Sequence, residues 1–374
     1  MYIPYGKQSI DEGDIQAVVE VLKSDYLTTG PRIAEFEQKM ADYTGAQYAV
    51  AVSSGTAALH IACLAAGIGV GDEVITTPLT FAASANCVLY CGGRPVFADI
   101  DPQTYNIDPV EIETHITPKT KAILPVHYTG RPCDMEAIGK IAEEQELMVI
   151  EDGAHALGAQ YRGRRIGSLS HMTCFSFHPV KPVTTGEGGV VTTSSRELYE
   201  RLLLFRSHGI TREVDLLREQ EGAWYYEQLE LGYNYRITDI ACALGISQMK
   251  KLEGFLQRRK GLAERYNEAF ATVEGIQTPE ELEDAESGWH LYMIQVPEER
   301  RERMFEQLRE AGIGVNVHYI PVYRHPYYQS CGYAGCFCPN AEGFYERALT
   351  LPLYPDLTEE QQDYVIEKVT EYIK

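Results

Sequence analysis

Two residues in this chain pair a reactive side chain with a local frame able to hold it still. Lys181 stands between Pro179 and Pro182 in FSFHPVKPVTTGEGG, Phe175 to Gly189. Each proline fixes its own φ and biases the residue before it away from the helical region, which predicts an extended, pre-set segment at a strand end. A lysine that is fixed and partly desolvated there offers a neutral amine, the nucleophile of Schiff-base chemistry. Asp152 ends the apolar run of LMVIEDGAHALG, Leu147 to Gly158, which reads as a buried strand stopping at an acid. In open α/β sheets, ligands sit beyond the carboxyl ends of the strands, where Asp152 is expected. A carboxylate and a fixed lysine suit pyridoxal 5′-phosphate, whose ring nitrogen needs an acid and whose aldehyde needs an amine. Taken by itself, Lys181 reads equally well as a surface lysine in a Pro/Gly loop.

These two stretches resemble the fold-type I aminotransferases, specifically the DegT/DnrJ/EryC1/StrS family, which aminates keto-sugars carried on nucleotides. The resemblance runs over nearly the whole chain. It implies a large α/β domain with a mainly parallel sheet at residues 1–253 and a smaller α+β domain at 254–374. In this reading Lys181 holds the cofactor and later moves the substrate proton, and Asp152 keeps the ring nitrogen protonated. In Val52-Ser53-Ser54-Gly55-Thr56, helix-start amides and hydroxyls make a phosphate cradle, although Ser54 is as readily a plain N-cap. The family binds the cofactor phosphate at this turn, with Gly55 and Thr56 matching it, and Ser176 matches a serine that adds a hydroxyl. Phe81 is either a core aromatic or, as the family has it, a face for the pyridine ring. His155 matches a position near the cofactor's phenolic oxygen.

The same resemblance makes Asn234, in Gly-Tyr-Asn-Tyr-Arg, the asparagine that reaches the phosphate from a neighbouring subunit, so a homodimer with shared sites is implied. Thr28-Thr29-Gly30 and the segment around His318 and Tyr319 resemble the parts that meet the sugar nucleotide. Arg206, His208, Arg236 and His318 are the cations in segments placed near the site, and which of them touch phosphate is open. Lys181 stands where a dehydratase branch of the family has histidine. His178-x-x-Lys181-Pro182, Leu204 to Gly209 and His318-Tyr319-x-Pro321-x-Tyr323 look most like the pseudaminic-acid branch. That branch aminates C4 of a UDP-linked 2-acetamido-2,6-dideoxy-hexos-4-ulose with L-glutamate. The rivals are a dTDP- or GDP-sugar aminotransferase acting on a C3 or C4 ketone, and a pyridoxal-phosphate-binding regulator without turnover.

The elements that must position these residues follow from periodicity. Ser9 to Glu12 reads as a capping box opening a helix to about Lys23, and a second helix runs from about Arg32 to Tyr43. Then come strand 48–52, helix 56–66, strand 73–77, helix 81–90, strand 95–99, helix 109–115, strand 121–127, helix 134–145 and strand 147–152. Strands alternating with helices of this length imply βαβ units. Helix 196–206, a long loop 207–235 and helices 238–251 and 255–270 come next. The last third predicts strand 291–296, helix 299–311, strand 314–318 and helices 341–348 and 359–372.

Composition narrows the function classes. A net charge of −21 speaks against nucleic acid or an anionic membrane as partner. Nine scattered cysteines read as reduced thiols. Cys331, Cys336 and Cys338 lack the usual zinc spacing, so no metal is expected. The first residues lack signal-peptide character and no apolar run is long enough for a membrane span, which predicts a soluble, cytoplasmic enzyme.

Overall fold

Short β-branched runs alternate with amphipathic stretches, and in the computed structural model of the protein, which describes residues 2–280 and 283–374, they build one large sheet. Its strands are β1 (Tyr48–Val52), β2 (Glu73–Thr76), β3 (Arg94–Phe97), β4 (Thr120–Leu124), β5 (Met148–Asp152), β6 (Met172–Ser176) and β7 (Gly189–Thr193). They lie in the order β1-β7-β6-β5-β4-β2-β3. β7 runs antiparallel to β1 and β6, and the other neighbours pair parallel.

Successive strand residues point to opposite faces, so each strand feeds two cores. Val191 packs with Val50, Val52, Ile150 and the helix α3 (Gly55–Ala65), whereas Val190 packs on the other face with Phe36, Phe175 and Phe177. α3 (GTAALHIACLA) is apolar nearly all round, as a helix buried between sheet and outer helix α7 (Arg196–Arg206) must be. Lys181 sits in the connection between β6 and β7. Its neck is closed by the Phe177 amide donating to the Gly188 carbonyl at 3.0 Å and the Thr185 amide donating to the Phe177 carbonyl at 3.1 Å.

Toward the C-terminus, β8 (Tyr292–Gln295) pairs antiparallel with β9 (Ala348–Leu351). Helices Glu298–Glu310 and Glu359–Tyr372 cover them through Met304, Leu308, Val365 and Val369. The helix α9 (Leu252–Phe270) belongs to both parts: Leu252 packs with the sheet, and Leu262, Tyr266 and Phe270 pack with β8 and β9.

Three local expectations change. The first helix (Glu12–Leu22) is capped by Asp11, which exchanges hydrogen bonds with Asp14, while Ser9 Oγ donates to Asp356 instead. Residues 314–318 make no strand: Asn316 bridges β9 at Thr350, while the Gly314 amide goes to the Ile3 carbonyl and the His318 carbonyl accepts the Tyr128 hydroxyl. The strand forms at Ala348–Leu351, where a helix was expected to end. The 207–235 loop carries a two-residue ribbon, Ile210–Thr211 against Glu227–Gln228. Among the described residues no helix is long and apolar enough to cross a membrane.

Candidate active site

The carboxyl ends of β5 and β6 and the N-terminus of α3 open onto a cavity of about 620 Å³, the size of a small-molecule site. Asp152 is buried at the end of β5. Its Oδ1 accepts the Ala154 amide at 3.0 Å and its Oδ2 accepts Ser84 Oγ at 2.6 Å. Ser84, from helix α4 (Ala83–Tyr90), is itself 2.7 Å from Thr80 Oγ1. The carboxylate is thus held from two sides with lone pairs left for a ligand.

Lys181 lies across the cavity wall. The residue is half-buried, yet its surroundings desolvate the ammonium enough to bring its pKa from 10.5 down to about 8, against the opposing pull of Asp152. Its Nζ lies 3.3 Å from Nε2 of His290. With a pKa of about 8, the neutral amine is far more available near neutral pH than in an ordinary lysine, which suits a nucleophile and proton acceptor.

The cradle at the start of α3 depends on a close approach. A Cβ at Gly55 would stand 2.8 Å from Ser176 Cβ and 3.0 Å from its Oγ, so glycine alone lets the helix N-terminus meet that hydroxyl. Ser54 is the N-cap, accepting the Ala57 amide at 3.1 Å, and Thr56 lines the cavity beside it. Phe81 is 63% exposed on the cavity wall, so its ring is not part of the core.

His155 and His318 are both buried. Burial, and then the charge of Lys181, push His155 well below the usual histidine range. His155 Nε2 is 3.2 Å from the Tyr319 hydroxyl, and burial raises the pKa of that phenol. His318 bonds Thr350 Oγ1 at 2.7 Å and Asn316 at 3.3 Å, and burial plus Lys181 bring its pKa to about 3. His318 is therefore neutral, which corrects its place among the expected phosphate-binding cations.

The other expected residues lie outside this wall. Arg206 is committed elsewhere: it donates to Glu37 at 2.6 Å and to the Ala51 carbonyl at 3.3 Å, with both side chains largely buried. Its charge is spent within the fold, so the expectation of a free phosphate ligand does not hold for it here. Thr28 bridges Thr238, and the Gly30 amide donates to Asp239 at 2.8 Å. Asn234 bridges Ser207 and Arg236 bridges Val52 through the backbone. His208, with φ 62°, and Asn234 are exposed. Thr28, Thr29, Gly30, Arg206, His208, Asn234 and Arg236 are thus stitched around the 206–239 segment, apart from Lys181. Among the described residues, no arginine lines the cavity, and Lys181 is its only lysine.

Three residues of the site escaped the sequence, His290 and Asn316 on its wall and Ser84 behind Asp152. Ser84 looked like one more small residue in a buried helix, and Asn316 like a strand position. His290 follows Trp289, whose φ of 44° turns the chain sharply into the cavity. A Trp-His pair entering a strand is a weak signal, and nothing local ties it to Lys181.

Comparison with known proteins places this geometry. The model of the DegT/DnrJ/EryC1/StrS aminotransferase family matches residues 8–370. The spore coat polysaccharide biosynthesis protein SpsC of Bacillus subtilis is 44% identical over 379 residues, covering 100% of this chain and 97% of SpsC. Helicobacter pylori PseC, an aminotransferase involved in the biosynthesis of pseudoaminic acid, superposes with a TM-score of 0.93 at 33% identity, covering 100% of this chain and 99% of PseC. The putative sugar aminotransferase Spr1654 of Streptococcus pneumoniae in its PLP form superposes with a TM-score of 0.93 at 34% identity, with both chains covered in full (100%). Its PMP form gives a TM-score of 0.94 at 33% identity over 100% of this chain and 98% of that one.

Proposed function

The chain belongs to the DegT/DnrJ/EryC1/StrS aminotransferase family, and within it we propose that it transfers the amino group of L-glutamate to C4 of a UDP-linked 2-acetamido-2,6-dideoxy-hexos-4-ulose. It is a sugar aminotransferase of fold-type I that uses pyridoxal 5′-phosphate. The single observation that carries the assignment of roles is that Lys181, Asp152, Ser176 and the α3 start share one cavity with His155, His318 and Tyr319.

These residues fit the cofactor. Its phosphate would be held by the amides at Gly55 and Thr56 and by the Ser176 hydroxyl, which the missing Cβ of Gly55 lets come close to the helix start. Asp152 would face the ring nitrogen and keep it protonated, Phe81 would cover the ring, and His155 would lie toward the phenolic oxygen. Lys181 would hold the aldehyde carbon. When bound, pyridoxal 5′-phosphate supplies the electron sink that lets a proton leave the donor's α-carbon, and it carries the amino group between substrates. Lys181, once freed, takes that proton on its neutral Nζ and returns it, a role suited to a pKa of about 8.

The active unit in this reading is a cytoplasmic homodimer with shared sites, in which each chain divides into domains 1–253 and 254–374. The cavity wall has no arginine among the described residues, so the grip on a pyrophosphate calls for groups from beyond it. His208 and Arg236 then act on the pyrophosphate across the interface, where Asn234 reaches the cofactor phosphate, with Thr28 to Gly30 toward the sugar nucleotide. Trp224, Tyr226 and Leu231, exposed at 72%, 51% and 77%, make the same segment a suitable interface.

The likeness to PseC supports the C4 substrate. The 44% identity to SpsC favours a second reading, another nucleotide-linked keto-sugar destined for a polysaccharide. The two separate in single-turnover amination by the amino form of the enzyme, using UDP- and dTDP-linked 4-keto sugars with and without the 2-acetamido group. A pocket built to hydrogen-bond the acetamido group rejects an analogue lacking it, because its own polar groups lose their partners. Preference for a dTDP sugar without that group overturns the substrate and leaves the aminotransferase standing.

A further inference from the structure

We propose that His290 is a positioning residue for Lys181: when the amine is neutral, the imidazole donates its Nε2–H to the amine lone pair and anchors Nζ at the cavity wall until that bond breaks and the amine acts. The functional value of this contact rests on the role given to Lys181 above.

The geometry rests on four observations. His290 Nε2 lies 3.3 Å from Lys181 Nζ. His290 is buried and its Nδ1 has no hydrogen-bond partner. The backbone around it is pinned: its amide donates to the Thr129 carbonyl at 2.9 Å, and the buried Arg259 guanidinium donates to the carbonyls of Trp289 and His290, both at 3.2 Å. The same Nη1 reaches the Leu353 carbonyl at 2.9 Å, so α9 clamps two chain segments beside the site. The backbone that carries the ring cannot withdraw without breaking this clamp.

The orphaned Nδ1 selects the tautomer. A buried N–H without an acceptor is rarer in proteins, and costlier, than an unused acceptor. With Lys181 as the neutral amine, the proton of the neutral ring therefore belongs on Nε2, facing the lysine. A donor bonded to the amine lone pair favours the neutral amine over the ammonium. The groups facing this pair are Asp152, which pulls toward the charged lysine, and His155 and His318, which burial keeps neutral. The His155 ring stands 4.4 Å from that of His290, centroid to centroid, and shields it from solvent. Burial and the neighbouring Lys181 charge also keep His290 itself uncharged.

The test uses the full-length protein stripped of cofactor, so its outcome does not depend on turnover. Acetylation of Lys181 by acetic anhydride is followed across a pH series by mass spectrometry. In the wild type the reactivity should rise with a midpoint near 8. His290→Leu should move that midpoint upward by roughly one pH unit, and His290→Gln, whose amide N–H can replace the donor, should restore it. An unchanged midpoint in His290→Leu overturns the proposal. Imidazole ¹⁵N shifts of the unmutated protein give an independent reading that needs no variant to fold. At a pH above the Lys181 midpoint the Nε2–H tautomer is expected for His290, and the Nδ1–H tautomer or a charged ring there refutes it. Failure of the cofactor role of Lys181 shows separately, as pyridoxal phosphate giving the lysine no protection from acetylation.

Discussion

The cavity around Lys181 is walled by side chains that several internal hydrogen bonds already hold in place, whereas the 206–239 segment leaves His208 and Asn234 in solvent. In the cavity Asp152 has Ser84 and Ala154, His318 has Thr350 and Asn316, and Lys181 has His290. Such groups are held in place before any ligand arrives, which is how a site avoids reorganising during reaction. Along the segment the backbone is tied down by isolated bridges, at Asn234 to Ser207 and Arg236 to Val52, while the Asn234 side chain faces outward. The first region finds its hydrogen-bond partners within one chain; the second leaves side chains without them. Burial separates them, because it shifts the pKa values and demands the partners, and the segment has little of it.

The sharpest test of the cavity is its lysine. Lys181→Ala should lower amination by at least about a thousandfold, the scale expected when an essential proton carrier is removed. It should also abolish reducible covalent attachment of the cofactor, measured by mass after borohydride treatment, while thermal stability stays close to normal. A variant with near-normal turnover removes Lys181 from its role.

Arg206 separates the regions in the opposite sense, through stability. Arg206→Ala leaves Glu37, whose carboxyl burial already raises, without its cation. Breaking a largely buried pair should cost about 2–3 kcal/mol, below the figure for a fully buried one since each side chain keeps some exposure. The sign of the pH dependence follows from the raised folded pKa of Glu37. The ionised carboxylate is the destabilised form, so the deficit should be largest near roughly pH 8 and shrink toward roughly pH 5 as it takes up a proton. Urea melts at both pH values measure it. A deficit that grows on acidification contradicts this account.

Asn234 gives the smallest effect and the most direct reading of the segment. Asn234→Ala should reduce cofactor affinity about tenfold, equivalent to one lost hydrogen bond of roughly 1.4 kcal/mol. Co-expression with Lys181→Ala should restore activity above either variant alone, because a mixed dimer contains one site with both residues intact. If the co-expressed pair is no more active than the separate variants, Asn234 works within its own chain.

The local signals were enough for the alternation of strands and helices, since apolar periodicity and caps are properties of neighbouring residues. Helix Arg196–Arg206 and the Thr238 cap of Asp239–Met249 lie where the pattern puts them. The frame around Lys181, the acid at the end of β5 and the glycine at the start of α3 were legible for the same reason. What sequence spacing left out is each contact made across long separations. It could not tell that Arg206 meets Glu37, that Ser84 bonds Asp152, or that a histidine after Trp289 arrives beside Lys181. Nor could it tell that His318 is uncharged, because a charge state in the interior depends on how much water the fold removes and which neighbours replace it. The sequence by itself determined the reactive residue types and the elements that carry them. The tertiary structure decided which side chains face one another and, through burial, which of them are neutral.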